Sequence, residues 1–217
     1  MTDTTHDTNR YTRRSRRGAP QERRLAMIQA ASEVFFEAGY AAASIDMIIA
    51  RAGGSKRDLY AEFGNKEGLF AAIITENASR ALDALAPEQL TGHDLRSTLR
   101  HFGRRLVALQ MAPQLLALYR AGIAESTRFP DLARAFFESG PGRASARLAE
   151  VLEEYRDRGE IKVSDCRRAA EHFIGMVRDD LHLQVLLGLR PPPNDAEVEA
   201  TVDAAVRIFL DGVGENR

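Results

Sequence analysis

The chain has 217 residues, 44% hydrophobic and 28% charged, which is enough to bury the core of one ordinary domain or two small ones and excludes broad disorder. Its one cysteine, Cys166, excludes an intrachain disulfide and points to a reducing compartment. The formal charge of −1 is unevenly spread: residues 1–66 hold 11 Lys and Arg against 8 Asp and Glu (+3), and residues 67–217 hold 19 against 23 (−4), a balance that suits a nucleic-acid-binding end joined to something else.

Residues 1–18 are polar and aperiodic, and are expected to form a disordered arm. Within it Arg10, Arg13, Arg14, Arg16 and Arg17 surround Tyr11. It reads either as a solvated tail or as a basic arm that follows phosphate or enters a minor groove. No signal-peptide core opens the chain. No apolar run approaches the ~20 residues of a membrane span, so a soluble, cytoplasmic protein without membrane contact is expected.

From Gln21 to Ala38 the apolar residues Leu25, Ile28, Ala31, Phe35 and Ala38 recur at three- and four-residue steps, one stripe of an amphipathic helix. Gly39 is expected to end it in the left-handed conformation. Ser44 then reads as the cap of a short helix with Ile45, Ile48, Ile49 and Ala52 on its apolar face. Gly53-Gly54 breaks that helix, Ser55 caps the next over Lys56–Glu62, and Asn65 caps a longer one. Helix, glycine turn, helix is the geometry in which the second helix enters the major groove of DNA.

The remaining pattern is helical throughout. A helix over 66–85, ended by Pro87, links the two halves as a natural lever. Helices follow over 94–110, with Leu95, Leu99, Phe102, Leu106 and Leu109 inward, and over 113–126. Two more, 131–139 and 143–158, are separated by Gly140-Pro141-Gly142. A long helix capped by Ser164 runs over 164–188, and a last one, capped by Asn194, over 195–210. No strand pattern and no internal repeat is present. The expected fold is all-α, about nine helices: an N-terminal three-helix DNA-binding domain and a C-terminal helical bundle.

Gly39-Tyr40, Ser44, Ile48, Ala52-Gly53, Ser55-Lys56, Leu59-Tyr60, Phe63, Lys66-Glu67 and Leu69 stand at the spacings of the TetR-family DNA-binding domain, which the first third of the chain resembles. The stretch LALYRAGIAESTRFPDLARAFFESGPG (Leu116–Gly142) and the later GMVRDDLHLQVLLGL more loosely resemble the C-terminal domain of the AefR-like branch. The resemblance implies a boundary near residue 66, with a helix-turn-helix domain over 19–66 and a ligand-binding and dimerisation domain over 67–217. It further implies a homodimer through 164–188 and 195–210, double-stranded operator DNA as partner, a small-molecule effector, and ligand-released repression. Independently, the last two helices carry more apolar surface than one small subunit needs, which fits an interface.

Departures from the family pattern are Ala43 for Thr, Ile49 for Ala, Gly54 for Val and Glu62 for His or Tyr. Volume-conserving changes are the best tolerated in a core, so Ile49 is expected to fill the space left at Gly54. Glu62 puts the DNA-facing role of its position in question.

For DNA, Lys56, Arg57 and Tyr60 share one face of the recognition helix. Arg57 is a candidate for a guanine edge. Ser44, Ser55, Lys56, Tyr60 and Lys66, with Arg16 and Arg17 of the arm, are candidates for phosphate. For a ligand the clues are polar residues within apolar helices, His101, Arg105, Tyr119, Arg120 and His172, with the apolar Met176 as core or pocket and Arg178, Asp179, Asp180 and His182 open to a structural or interface role. Asp179-x-x-His182 with Glu171 resembles one half of a carboxylate-bridged metal site, but such sites need two Glu-x-x-His helices. The chain has no His-Glu-x-x-His, phosphate loop or nucleophile elbow. No catalytic site, metal or cofactor is expected. The alternatives are a ligand-independent regulator or activator, and a helical enzyme or interaction module with a vestigial helix-turn-helix.

Overall fold

A computed structural model of the chain describes residues 11–83 and 94–213; the side chains at 11–19, 78–83, 132 and 213 lie outside it. Among the described residues every regular element is an α-helix, ten segments in all: α1 (Tyr11–Ala42), α2 (Ile45–Ala52), α3 (Lys56–Phe63), α4 (Lys66–Asp83), α5 (Leu95–Gln110), α6 (Pro113–Glu125), α7 (Pro130–Ser139), α8 (Pro141–Asp157), α9 (Cys166–Leu186) and α10 (Asp195–Val213). The all-α expectation holds. The chain forms two compact units, Met1–Ile73 and Ile74–Arg217.

Unit 1 is organised by an aromatic trio. Phe35 of α1, Tyr40 and Phe70 of α4 are all buried. Their ring centroids lie 4.9–5.4 Å apart, within the range in which aromatic edges meet faces. Ile28, Ala31 and Val34 of α1, Ile48 of α2 and Leu59 of α3 complete this core. Local chemistry starts each short helix. Ser44 Oγ accepts the Met47 amide (3.2 Å) and Ser55 Oγ accepts the Asp58 amide (3.1 Å), satisfying amides that have no partner inside a helix. Asn65 Oδ1 does the same for the Gly68 amide at 2.7 Å.

Unit 2 packs α5, α8, α9 and α10 around Leu99, Phe102, Leu148, Leu152, Phe173, Val177, Val202 and Phe209. Helices α5 and α10 run antiparallel, because Arg100 pairs with Asp203 while Arg104, one turn on, pairs with Glu199, one turn back. Between those pairs a Cβ on Gly103 would lie 2.9 Å from Val202 Cγ1, so the close approach of the two helices requires glycine. Asn194 and Glu197 cap α10 reciprocally: each side chain accepts the other's amide at 3.0 Å, a capping box. The break expected over Gly140-Pro141-Gly142 narrows to Gly140: Pro141 and Gly142 already belong to α8, which begins two residues before the expected 143.

Several expectations change. The arm expected over 1–18 is helical from Tyr11, where α1 begins; residues 1–10 lie outside the described part, as does Pro87. Gly39 has positive φ but is not left-handed helical: at φ 75°, ψ 161° it occupies a region open essentially to glycine alone. Asp165 replaces Ser164 as the cap of α9, its carboxylate accepting the Arg168 amide at 2.9 Å. That helix is interrupted at Asp179 (φ 44°, ψ −170°). Nor does Ile49 fill the space at Gly54. Met27 Cε, 3.3 Å from where a Cβ would be, is the one neighbour within 4 Å. Gly54 also has φ +90°, so its lack of a side chain answers a backbone need that valine meets poorly.

Candidate nucleic-acid interface and ligand site

Helix α3 has eight residues and two faces. Leu59 is buried and Phe63 half-buried on one; Lys56, Arg57, Tyr60, Ala61 and Glu62 are exposed. Arg57, Tyr60 and Ala61 follow at three- and four-residue spacing and form the outward stripe. Arg57 has no hydrogen-bond or ion-pair partner among the described residues, which leaves its five donors for another molecule. Lys56 is engaged: its ammonium lies 2.8 Å from Asp46 Oδ1, in the first turn of α2. The hydrogen bond to Asp46 and then its charge hold the lysine above its ordinary pKa.

The flanking charges fix the helices. Arg51 of α2 makes a two-point bond to Glu37 of α1 at 2.7 and 2.8 Å, which holds the Glu37 carboxyl below its usual range. Glu62 pairs with Arg24 of α1 at 3.0 Å, and Arg24 lies over the Phe63 ring. The departure at Glu62 therefore serves the packing of α3 on α1. Lys66, expected at phosphate, is turned inward. Its ammonium donates to the Tyr40 carbonyl and lies 4.5 Å from the Tyr40 ring centre and 5.8 Å from that of Phe35, so it belongs to the aromatic core. Ser44 and Ser55 are exposed, with their hydroxyl oxygens used as caps. The side chains of Arg16 and Arg17 lie outside the described part.

The six expected ligand residues do not converge. His101 is exposed and Arg105 half-buried on α5. Arg120 caps the C-terminus of α9, donating to the carbonyls of Val185 and Leu186 at 2.9 Å each, a structural role for a cation at a helix C-terminus. His172 and Met176 line an open cleft of 410 Å³ with Lys162, Arg168, Ile208 and Phe209. Tyr119 stands apart, in a different cluster.

In that cluster Tyr119 of α6 meets Phe136 of α7 edge to face (4.8 Å, 88°) and His182 of α9 likewise (5.0 Å, 79°). The Arg178 guanidinium lies 5.6 Å from the Tyr119 ring centre and donates to its hydroxyl at 3.4 Å. His182 is only 4% exposed, and its Nε2 has no partner. Burial, and then the charge of Arg178, push its pKa down to about 4, so the ring is neutral at pH 7. Burial likewise pushes the Tyr119 phenol up, against the pull of Arg178. A buried polar atom left unpaired costs about 1–3 kcal/mol. Asp179, three residues before His182, is the one non-glycine residue with positive φ among the described residues, a strain of similar size. Sequence reasoning singled out Tyr119 but had no means to join it to His182, 63 positions away. Asp46 it missed altogether, since no helical period links it to Lys56.

Among the described residues no three His, Cys, Asp or Glu side chains converge as a metal site, and no single helix is long and apolar enough to cross a membrane.

Comparison with known proteins follows this division. Residues 27–73 match the model of the TetR family of bacterial regulatory proteins, and residues 97–212 that of the AefR-like transcriptional repressor C-terminal domain. The structure of a TetR-family transcriptional regulator from Mesorhizobium loti MAFF303099 superposes with a TM-score of 0.82 at 31% identity, covering 90% of this chain and 98% of that one. The flavonoid-responsive regulator FrrA gives 0.78 at 34% identity, covering 91% of this chain and all of the other. The HTH-type transcriptional activator FasR of Mycolicibacterium smegmatis is 39% identical over 88 residues, which are 41% of this chain but only 40% of that protein. With both family models matched in order and likeness extending over nine-tenths of the chain, the protein belongs to the TetR family of bacterial transcriptional regulators.

Proposed function

We propose that the protein is a cytoplasmic, homodimeric repressor that binds a near-palindromic operator through α3 and releases it when a small molecule occupies unit 2. The observation that carries the DNA step is the outward stripe of α3, where Arg57 and Tyr60 stand exposed on a helix locked by the Ser55 cap and the buried Leu59. Arg57 reads a base edge; Lys56, Tyr60, Ser44 and Ser55 hold the backbone. Two copies place their recognition helices in successive major grooves, with half-site centres ~34–36 Å apart. The dimer is supported by the large apolar residues exposed on α9, at its C-terminal cap and on α10: Leu183 at 54%, Leu187 at 64% and Ile208 at 57%, of the kind a subunit interface covers. Effector and operator then oppose each other by the same factor in either order of binding.

A DNase footprint on the DNA flanking the protein's own gene, at two salt concentrations, tests this. A protected near-palindrome that weakens as salt rises is expected. Sequence-blind protection at all concentrations would leave only backbone attraction and defeat the operator reading. The likeness to the activator FasR favours a second reading, in which the same bound site raises transcription. A reporter behind the footprinted site separates the two: deleting the protein raises expression from a repressed promoter and lowers it from an activated one.

A further inference from the structure

The cluster on α6, α7 and α9 has three features that packing alone leaves unexplained. His182 Nε2 is buried without a partner. Arg178, half-buried, has a phenol hydroxyl and a ring face but no carboxylate partner among the described residues. The backbone joining them is held at Asp179 in a conformation non-glycine residues avoid, with the Asp179 carboxylate accepting the Asp180 amide at 2.8 Å. A folded chain ordinarily pairs buried polar atoms, and strained backbone gathers where ligands bind or switches move. The flanking surfaces are aromatic: Tyr119 stands edge to face with both Phe136 and His182. An apolar wall with a few convergent polar groups is the composition of a small-molecule site.

Resting on the ligand-controlled reading above, we propose that this cluster is the effector's anchor and that the effector is a flat aromatic molecule carrying an acidic oxygen, a phenol or a carboxylate. The ring of such a molecule enters the aromatic wall of Tyr119 and Phe136. Its oxygen bonds the imidazole of His182 and the guanidinium of Arg178. A neutral imidazole meets either form of oxygen, donating from one nitrogen or accepting at the other, whereas the guanidinium only donates and therefore favours an oxygen with negative charge. Phenol and carboxylate share this chemistry, and the probes tell them apart. The open cleft lined by His172 and Met176 is a rival place for the ligand; its lining is mixed and it holds no buried unpaired group among the described residues.

The test is calorimetric titration of the full chain with three probes: apigenin, which carries phenolic hydroxyls; flavone, the same frame without them; and cinnamate, an aromatic acid. Wild-type protein is expected to bind apigenin or cinnamate at least tenfold more tightly than flavone. His182→Leu, which places an apolar side chain in an apolar site and so preserves folding, is expected to weaken the preferred probe about tenfold and leave flavone unchanged. Arg178→Gln is expected to weaken cinnamate more than apigenin. Met176→Trp, which fills the rival cleft, is expected to change nothing. The proposal is overturned if none of the probes binds wild-type protein. It also falls if His182→Leu binds the preferred probe as well as wild type, or if Met176→Trp is the variant that abolishes binding. Operator footprinting on the same preparations separates the two readings: retained operator protection with no probe bound removes this site and leaves the regulator, whereas lost protection in wild type removes both.

Discussion

The two units keep their polar residues in opposite ways. In unit 1 the charged side chains around α2 and α3 lie at the surface and are matched: Arg51 with Glu37, Lys56 with Asp46, Arg24 with Glu62. The stripe with Arg57 stays open. In unit 2 polar groups enter the interior, some paired, as Thr98 with Tyr155 at 2.9 Å, and two among the described residues, Gln110 Oε1 and His182 Nε2, not. A DNA-binding surface works with solvated charges aimed outward, so it needs a rigid frame and little burial. A small-molecule site works by offering a desolvated group to a matching partner, so before binding it carries an unmet cost. The first kind of site leaves the fold's stability almost untouched; the second lowers it.

The largest expected effect tests the frame of unit 1. Phe70→Ala removes a fully buried ring in edge contact with Phe35 and Tyr40, and core Phe→Ala changes cost about 3–5 kcal/mol. Thermal melting followed by circular dichroism should fall by roughly ten degrees or more, with operator protection lost well below the wild-type melting point. A melting curve within two degrees of wild type would mean that the trio does not hold unit 1 together.

Next comes the cost stored in unit 2. The His182 pKa is lowered from 6.5 to about 4 by burial first and Arg178 second. Above pH 6.5 neither the folded nor the unfolded imidazole is protonated, and the stability difference is nil. As pH falls from 6.5 towards 4 the unfolded chain takes up a proton that the folded chain refuses, so stability drops, by about 2–3 kcal/mol at pH 4.5. The Tyr119 phenol facing the ring, pushed up by burial, stays protonated across this window. Urea unfolding at pH 7.5 and 4.5 should therefore show wild type losing that much more than His182→Leu. Equal losses in the two proteins would show the ring to be hydrated after all.

A smaller effect is expected where two helices of unit 2 touch. In Gly103→Ala the new methyl meets Val202 Cγ1 at 2.9 Å, and a β-branched neighbour has little freedom to turn away. Overpacking of this kind costs about 1–3 kcal/mol, visible as a lower urea midpoint. The ion pairs on either side, Arg100–Asp203 and Arg104–Glu199, are partly exposed and hold register more than they add stability.

The same contrast explains what was legible in the sequence. Caps and glycine turns act over three or four residues, so Ser44, Ser55, Asn65 and the Gly140-Pro141 break could be read directly. So could the inward stripes of α1 and α5. Where an expectation failed, the deciding partner was distant or the side chain long. Lys66 has a flexible stem that lets its ammonium reach the Tyr40 carbonyl and two rings. Met27, in α1, supplies the methyl next to Gly54 that Ile49 was expected to supply. Arg120 reaches the end of α9, 65 residues on. The Tyr119–His182 contact has no period in the sequence at all, so the candidate ligand site was visible only as a scatter of polar residues.

The smallest expected effect sharpens the unit 1 side of the comparison. Asp46 is 73% exposed on its side chain and Lys56 54%, so their bond contributes little to folding. Its influence should fall on DNA binding, because a carboxylate beside the recognition helix repels phosphate and occupies the lysine. Asp46→Asn releases the ammonium and removes that repulsion while leaving the Ser44 cap and the buried Ile48 in place. Binding to random-sequence DNA should tighten several-fold, and the dependence of log K on log salt should steepen by about one unit. Operator affinity should rise less, because the base contacts proposed for Arg57 would be unchanged, so the ratio of specific to non-specific binding should fall. Fluorescence anisotropy with operator and scrambled duplexes across a salt series measures all three quantities. An unchanged slope and ratio would mean that Lys56 stays paired with Asp46's position or points away from phosphate in the complex, leaving the open stripe of Arg57 and Tyr60 to contact DNA without it.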